Sequence, residues 1–488
     1  MRTLRPVIVT AVAAIAAALI PLTASGQETT PPTTEFEDTA GANWTGHEAE
    51  LEFLTAVDEA SDRVTVTEIG RTRQDRPMHL VAIGDPEPRP IEDVLESGEP
   101  VVLFSCTFHG NEPAGREACL IWLRDLAFTD DPTLVKQLQD QTVLFFPTAN
   151  PDGRAANTRG NSQGVDINRD HLNLRTLEAQ ALAGILREWQ PDVAVDLHEY
   201  GPSLPAVYDD DLLYLWPRNL NTDEGVRTIA RTLSEDYVAD GVEEDGWRAG
   251  EYGVYAVGDD ALQHDYHLTQ SAGDGDEGIA RNGWSLKHTA SILLETAVTQ
   301  SPYHLPGDAQ GAGLNNRRVD THVDAVKHVL RFMREQGHSA AAVQQAAAVR
   351  KAREGAEQSA PIYFNGQDAD ETLDGQLTGS RAEPTSMADP PPCGYVLTPE
   401  QVQEVALTAA LHGTEIDILE DGSGFVSTAQ PTEPLIGLLL DARGSRNHVD
   451  AQAVDLCGDV VEVVIEAEGD GSAAPLADAA IRAHLIGA

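Results

Sequence analysis

Residues 101–128 read VVLFSCTFHGNEPAGREACLIWLRDLAF, and the order of residue types in them decides the class of fold. VVLFSCTF is an almost unbroken apolar run, the composition of a strand buried on both faces of a sheet. GREACLIWLRDLAF repeats its apolar positions at helical spacing. Pro113 stands at the join. It disfavours the helical region for Glu112 before it, and it suits the first turn of a helix, where its missing N–H costs nothing. The stretch therefore predicts a strand, a short loop and a helix, with His109 and Glu112 on the loop. Alone, an HxxE pair is a frequent accident and reads equally well as an imidazole and a carboxylate on a surface loop.

The same alternation extends outward. TVLFFPTA (142–149), VAVDLH (193–198) and SILLET (291–296) are further apolar runs of strand length, and LEAQALAGILREWQ (177–190) carries helical periodicity. RVTVTEIG (63–70) and MHLVAIG (78–84) read as a hairpin or as neighbouring strands. The expected class is α/β, with a mixed, mostly parallel sheet flanked by helices, over residues 47–335. The periodicity of RVDTHVDAVKHVLRFMREQG and the Ala/Gln-rich run after it predicts helix to about Gln358. Residues 336–392 are expected to be helix and linker, and 393–488 a small C-terminal α+β unit. In that unit LTPEQVQEVALTAALHG reads as an amphipathic helix, TEIDILED and GFVSTA as strands, and PLIGLLLDA as a further element. His412 and His448 read as structural or surface histidines.

The N-terminus, MRTLRPVIVTAVAAIAAALIPLTASGQ, has arginines, then a short apolar stretch, then small residues. It reads as a secretory signal peptide over residues 1–26, followed by a flexible leader over 27–46. No later segment is apolar enough to span a bilayer, so the mature chain is expected to be exported and soluble. The formal charge is −46, with 79 acidic against 33 basic residues. Such a surface repels nucleic acid and anionic membranes. Of the four cysteines, Cys393 and Cys457 flank one segment and are expected to form a disulfide. Cys106 in a strand and Cys119 in the next helix read as two buried thiols. There is no CxxC, which argues against a cysteine zinc site.

In open α/β sheets, ligands bind outside the carboxyl ends of the strands. His109 and Glu112 follow one strand, NPDGRAANTRGNSQGVDINRD (150–170) follows another, His198 closes a third and Glu295 a fourth. Four strand ends thus deliver polar groups to one rim. Two histidines and a carboxylate are the ligand set of a catalytic zinc that keeps one position open for water. A further carboxylate is then needed to move the water's proton, and Glu295 is the candidate.

FHGNEPAG, NPDGRAANTRGNSQGVDINRD, DLHEYG and SILLETA, in this order and spacing, resemble the zinc carboxypeptidase family, the carboxypeptidase A-like metallopeptidases. The resemblance covers about residues 47–300. It implies one Zn2+ per catalytic domain, bound by His109, Glu112 and His198, with Glu295 as general base and then general acid. It implies that Arg159 polarises the scissile carbonyl, and that Asn168 and Arg169 grip the terminal carboxylate of a peptide substrate. Asp166 would orient His109. The family's loop tyrosine has no matching motif here: Tyr252, Tyr255 and Tyr266 are available. Arg281, in TQSAGDGDEGIARNGW, reads as a substrate contact or as a surface charge. Glu199 replaces the small residue usual after the second zinc histidine.

The resulting expectation is a secreted zinc metallocarboxypeptidase acting on peptides with a free C-terminal carboxylate. The alternative is a zinc amidohydrolase acting on peptidoglycan stem peptides or N-acyl amino acids. A binding-only domain would have lost a ligand or the base, and all of them are present.

Overall fold

The computed structural model describes residues 30–201, 210–252, 275–298, 311–364, 384 and 386–457, and the backbone of 254–257 and 266–269. The signal peptide, most of the linker and the side chains of Tyr255 and Tyr266 lie outside the described residues.

The strand–loop–helix reading of residues 101–128 describes the centre of the sheet. Strands β1 (Val64–Arg71) and β2 (Pro77–Ile83) form an antiparallel hairpin. They are followed by β3 (Val101–Cys106), β4 (Thr142–Phe146), β5 (Val193–Tyr200), β6 (Leu212–Leu215) and β7 (Ala249–Glu251). A small ribbon of β8 (Val254–Val257) and β9 (Tyr266–Thr269) then precedes β10 (Ala290–Ala297). Eight of these strands make one sheet in the order β1-β2-β4-β3-β5-β10-β6-β7. Its four middle strands, β4, β3, β5 and β10, run parallel. Every residue of β3 and β4 is buried, as unbroken apolar runs require.

Helices cover both faces of the sheet. Those of the first half are α1 (Glu35–Asp38), α2 (His47–Ala60), α3 (Ile91–Ser97), α4 (Ala114–Phe128), α5 (Pro132–Asp140), α6 (Pro151–Ala156) and α7 (Leu177–Trp189). Those of the second half are α8 (Glu224–Thr232), α9 (Asp240–Glu244), α10 (Ala280–Ser285), α11 (Ala312–Glu357), α12 (Pro399–His412) and α13 (Glu433–Leu440). Successive β3 residues feed opposite cores. Val102 and Phe104 pack with Leu54 of α2, Leu120 of α4 and Val329 of α11. Val101 and Leu103 pack with Val94 of α3, Leu182 of α7 and Trp284 of α10. Burying one such side chain contributes about 1.5–3 kcal/mol.

Three expectations need correction. First, residues 33–46 are docked rather than a flexible leader. Phe36 is buried and stacks on Trp44, Thr34 and Glu37 form a capping box on α1, and Thr45 donates to the buried Glu117. Two aromatic anchors outweigh the polar composition around them. Second, Cys106 and Cys119 form a disulfide rather than two thiols. The loop after β3 folds α4 back across the strand's own end, which brings the last strand residue and the second helical turn together inside the core. Third, α11 runs without a break through residue 335, so no boundary falls there.

After α11, β11 (Ile362–Phe364) pairs with β12 (Ser386–Ala388) across the linker. Strands β13 (Gly394–Leu397), β14 (Asp417–Ile418), β15 (Gly424–Ser427) and β16 (Gln452–Val454) form a four-stranded sheet in the order β14-β15-β13-β16. Cys393 and Cys457 are joined. The apolar run PLIGLLLDA forms the fully buried α13. This region's core also includes Leu172 and Leu286, so it is continuous with the larger sheet domain.

Candidate active site

The β3–α4 loop begins with strain. Thr107, a β-branched residue, has φ 59° in the left-handed region, an arrangement that persists only where surroundings impose it. The chain turns there, two residues before His109, at the carboxyl end of β3. Gly110 must be glycine, because a Cβ there would lie 1.9 Å from the carbonyl carbon of Gly153. Pro113 caps α4, and Glu112 stands just outside the helix.

His109 and Glu112 meet His198 at the end of β5. His109 Nδ1 lies 2.8 Å from Glu112 Oε1, His198 Nδ1 lies 2.8 Å from Glu112 Oε2, and the two Nδ1 atoms are 3.0 Å apart. All three side chains are buried. The other ring nitrogens are held from behind. His109 Nε2 lies 3.1 Å from Asp166 Oδ1. His198 Nε2 lies 2.8 Å from Asp196 Oδ1, which accepts from no other donor among the described residues. A carboxylate behind each ring keeps the proton on Nε2 and leaves the Nδ1 lone pair pointing inward. Glu112 Oε2 also accepts the Glu199 N–H, at 3.2 Å.

This donor set fits a zinc ion. Ligand atoms on one tetrahedral zinc are about 3.4 Å apart, and these are slightly closer. The electrostatics point the same way. Burial pushes the Glu112 carboxyl up, but His109 and His198 outweigh it and hold it well below the ordinary carboxylate range. Burial likewise opposes ionisation of Asp166, and the His109 contact and Arg159 overcome it. Burial lowers His198, yet Asp196 and Glu112 raise it well above its ordinary value. The ionised carboxylates favour positive charge in the cage, carried by a proton on His198 or by a metal ion in its place.

Arg159 adds to that charge. Its Nε and Nη2 lie 3.0 Å from Asp166 Oδ2, and its Nη1 reaches to 3.1 Å from His109 Nδ1. The guanidinium is half exposed. Glu295 pairs in register with His198 across the parallel β10–β5 ladder. Partners in such a ladder point to the same face, about 4.8 Å apart. Burial pushes the Glu295 carboxyl up to about 7, opposed by the charge of His198 and helped by that of Glu112.

Asn168 and Arg169 lie in a short 3₁₀ turn after Asp166, and they differ. Asn168 is buried: its amide N–H donates to Asp196 Oδ2 at 3.0 Å and lies 2.8 Å from His198 Nε2, and its Oδ1 accepts the Ala280 N–H at 2.8 Å. Arg169 is exposed, with Nη1 donating to the Asn168 carbonyl at 2.6 Å. Arg281 is buried in α10, which removes the reading of it as a surface charge. Glu199 points away from the cage. It accepts the Ala114 N–H at the start of α4, at 2.9 Å, and pairs with Arg318 of α11. The Tyr252 N–H bonds to the Tyr214 carbonyl at 2.9 Å.

Sequence reading missed Asp196. The signal was present: in DLH, residues two apart on a strand share a face, so an aspartate two before a metal histidine sits beside it. It also missed His322 of α11, whose Nε2 lies 3.0 Å from the His198 carbonyl.

A profile of the zinc carboxypeptidase family matches residues 51–289. Those residues belong to the zinc carboxypeptidase family. Carboxypeptidase 2 of Trichophyton rubrum is 32% identical over 194 residues, which are 38% of this chain and 35% of that protein. Carboxypeptidase E of Caenorhabditis elegans is 28% identical over 232 residues, 40% of this chain and 48% of that protein. A solved carboxypeptidase A from Helicoverpa armigera aligns over 62% of this chain and 74% of its own at 16% identity, with a TM-score of 0.44. The chain spans about a third of the length of the Trichophyton relatives it matches. Membership in the zinc carboxypeptidase family implies zinc, and His109, Glu112 and His198 are the group among the described residues able to hold it.

Proposed function

We propose that this chain is an exported zinc metallocarboxypeptidase that hydrolyses the last peptide bond of peptides with a free C-terminal carboxylate. The observation that carries the reading is the convergence of the His109–Glu112–His198 donor set with Glu295, which stands in register beside His198. Export is supported by two disulfides and by the signal-like N-terminus. Among the described residues no helix is long and apolar enough to cross a membrane.

A zinc held by His109, Glu112 and His198 would supply a water acidified to a pKa near 7 and a Lewis acid beside the scissile carbonyl. The remaining work belongs to side chains. Glu295 takes a proton from the attacking water and returns it to the nitrogen of the leaving amine. Burial pushes this carboxyl up, which strengthens it as a base and so favours its taking the water's proton. Arg159 offers N–H groups to the carbonyl oxygen as negative charge grows on it. The planar fork of Arg169 suits a bidentate grip on the terminal carboxylate. Asn168 spends its amide N–H on Asp196, the carboxylate behind His198, so its contribution is to hold that support still.

The test is mass spectrometry of a mixed peptide library incubated with the secreted protein, beside a chelator and the Glu295→Gln variant. Stepwise loss from free C-termini only, abolished by both controls, is the expected result. Equal loss from amidated peptides overturns the carboxylate grip. Zinc bound without any peptide cleavage turns the reading to the amidohydrolase alternative.

A further inference from the structure

The region after α11 contacts Arg169, Leu172 and Asn173, a stretch that begins at the proposed carboxylate-binding arginine. We propose that the C-terminal region positions Arg169, with Arg446 as the positioning residue, so that substrate binding depends on a contact 277 residues away in the chain. This rests on the assignment of Arg169 above.

The guanidinium of Arg169 is exposed and donates to the neighbouring Asn168 carbonyl. Its ability to meet a carboxylate therefore depends on where its own backbone is held, since a long free side chain loses much of the advantage of its fork. That backbone is gripped from two sides. On one side, Gly278 lies so close that a Cβ would come within 2.6 Å of the Arg169 carbonyl oxygen, and the Gly278 carbonyl accepts the His171 N–H at 3.1 Å. On the other, Arg446 Nη1 donates to the Arg169 carbonyl at 3.2 Å, while Nη2 pairs with Asp276. Arg446 thus ties the 276–278 segment and the Arg169 turn into one unit.

The same C-terminal region secures the residues that follow. His412 Nε2 lies 2.7 Å from the Leu172 carbonyl, and Thr408 Oγ1 donates to the Asn173 carbonyl at 3.2 Å. The Asn173 amide N–H donates to the Arg446 carbonyl at 2.8 Å, and its Oδ1 lies 3.0 Å from His448 Nδ1. Leu172 is fully buried in the C-terminal core. Three bonds to backbone carbonyls, two to the Asn173 side chain and one apolar anchor thus tie residues 169–173 to the C-terminal region.

The experiment is steady-state kinetics on the zinc-loaded full chain with a free-C-terminus peptide, with thermal melting of each variant. Arg446→Ala is expected to raise KM about five- to tenfold while kcat stays within about twofold. Arg446→Lys, which keeps the charge, recovers part of that loss. Asp276→Asn cuts the ion pair from its other end and raises KM about two- to threefold, which keeps the proposal testable if Arg446→Ala does not fold. Tyr395→Phe removes the bond to Asp441, at 3.1 Å, within the same core and away from residues 169–173; it leaves KM unchanged. Unchanged KM in Arg446→Ala and Asp276→Asn, while Arg169→Ala raises it, overturns the proposal and leaves the function standing. An unchanged KM in Arg169→Ala overturns the carboxylate assignment and this inference with it.

Discussion

At the His109–Glu112–His198 cage each ligand is held by a second group: Asp166 behind one ring, Asp196 behind the other, the Glu199 N–H on the carboxylate. At Arg169 the functional guanidinium is exposed, and what is held is the backbone beneath it. The first arrangement is built from the β3–α4 loop, the end of β5 and the aspartate that opens the 3₁₀ turn. The second is built from a turn, a loop and a distant C-terminal region. The difference divides the labour. The reacting centre is fixed by contacts to its side chains, and the substrate end by contacts to the backbone beneath its side chain.

The contrast is sharpest where the chemistry is removed outright. Glu295→Gln is expected to lower kcat about 1000-fold with zinc content unchanged, measured by peptide hydrolysis beside metal analysis. Arg169→Ala is expected to lower kcat/KM by about 10- to 100-fold, with most of the change in KM. Asp196→Asn acts on the other side: zinc affinity falls about 10- to 100-fold by competition with a chelating dye, and KM at saturating zinc hardly changes. If Asp196→Asn altered KM as Arg169→Ala does, the two regions would not be separable.

The pH dependence is a smaller effect with a definite sign. Glu295 must be ionised to accept the water's proton, so kcat/KM falls about tenfold per unit of pH below its pKa. Burial holds that pKa up to about 7, and the charge of bound zinc works against burial, so the acid limb lies at or below about pH 7. Replacing Glu295 by Gln removes the limb together with most of the activity.

The two regions also differed in how far they were legible. HGNEP carries its own geometry, because proline fixes where the helix starts and the apolar run fixes where the strand ends. Glu295 was legible from its place at a strand end, although the register that brings it beside His198 appears only in the sheet. Asp196 was readable from strand alternation and was overlooked. The Cys106–Cys119 bond was not readable, because it depends on the angle at which α4 folds back over β3. The docking of residues 33–46 turned on Phe36 and Trp44, two aromatics whose partners lie in distant segments. Arg446 lay furthest from reach: no local pattern marks an arginine as the support for another 277 residues earlier.

The most direct test of the central claim is the zinc content of the purified chain, measured by elemental mass spectrometry for the parent protein, His198→Ala and Glu295→Gln. One zinc per chain in the parent and in Glu295→Gln, with none retained by His198→Ala after dialysis, is the predicted result. Zinc retained in full without His198 would contradict it.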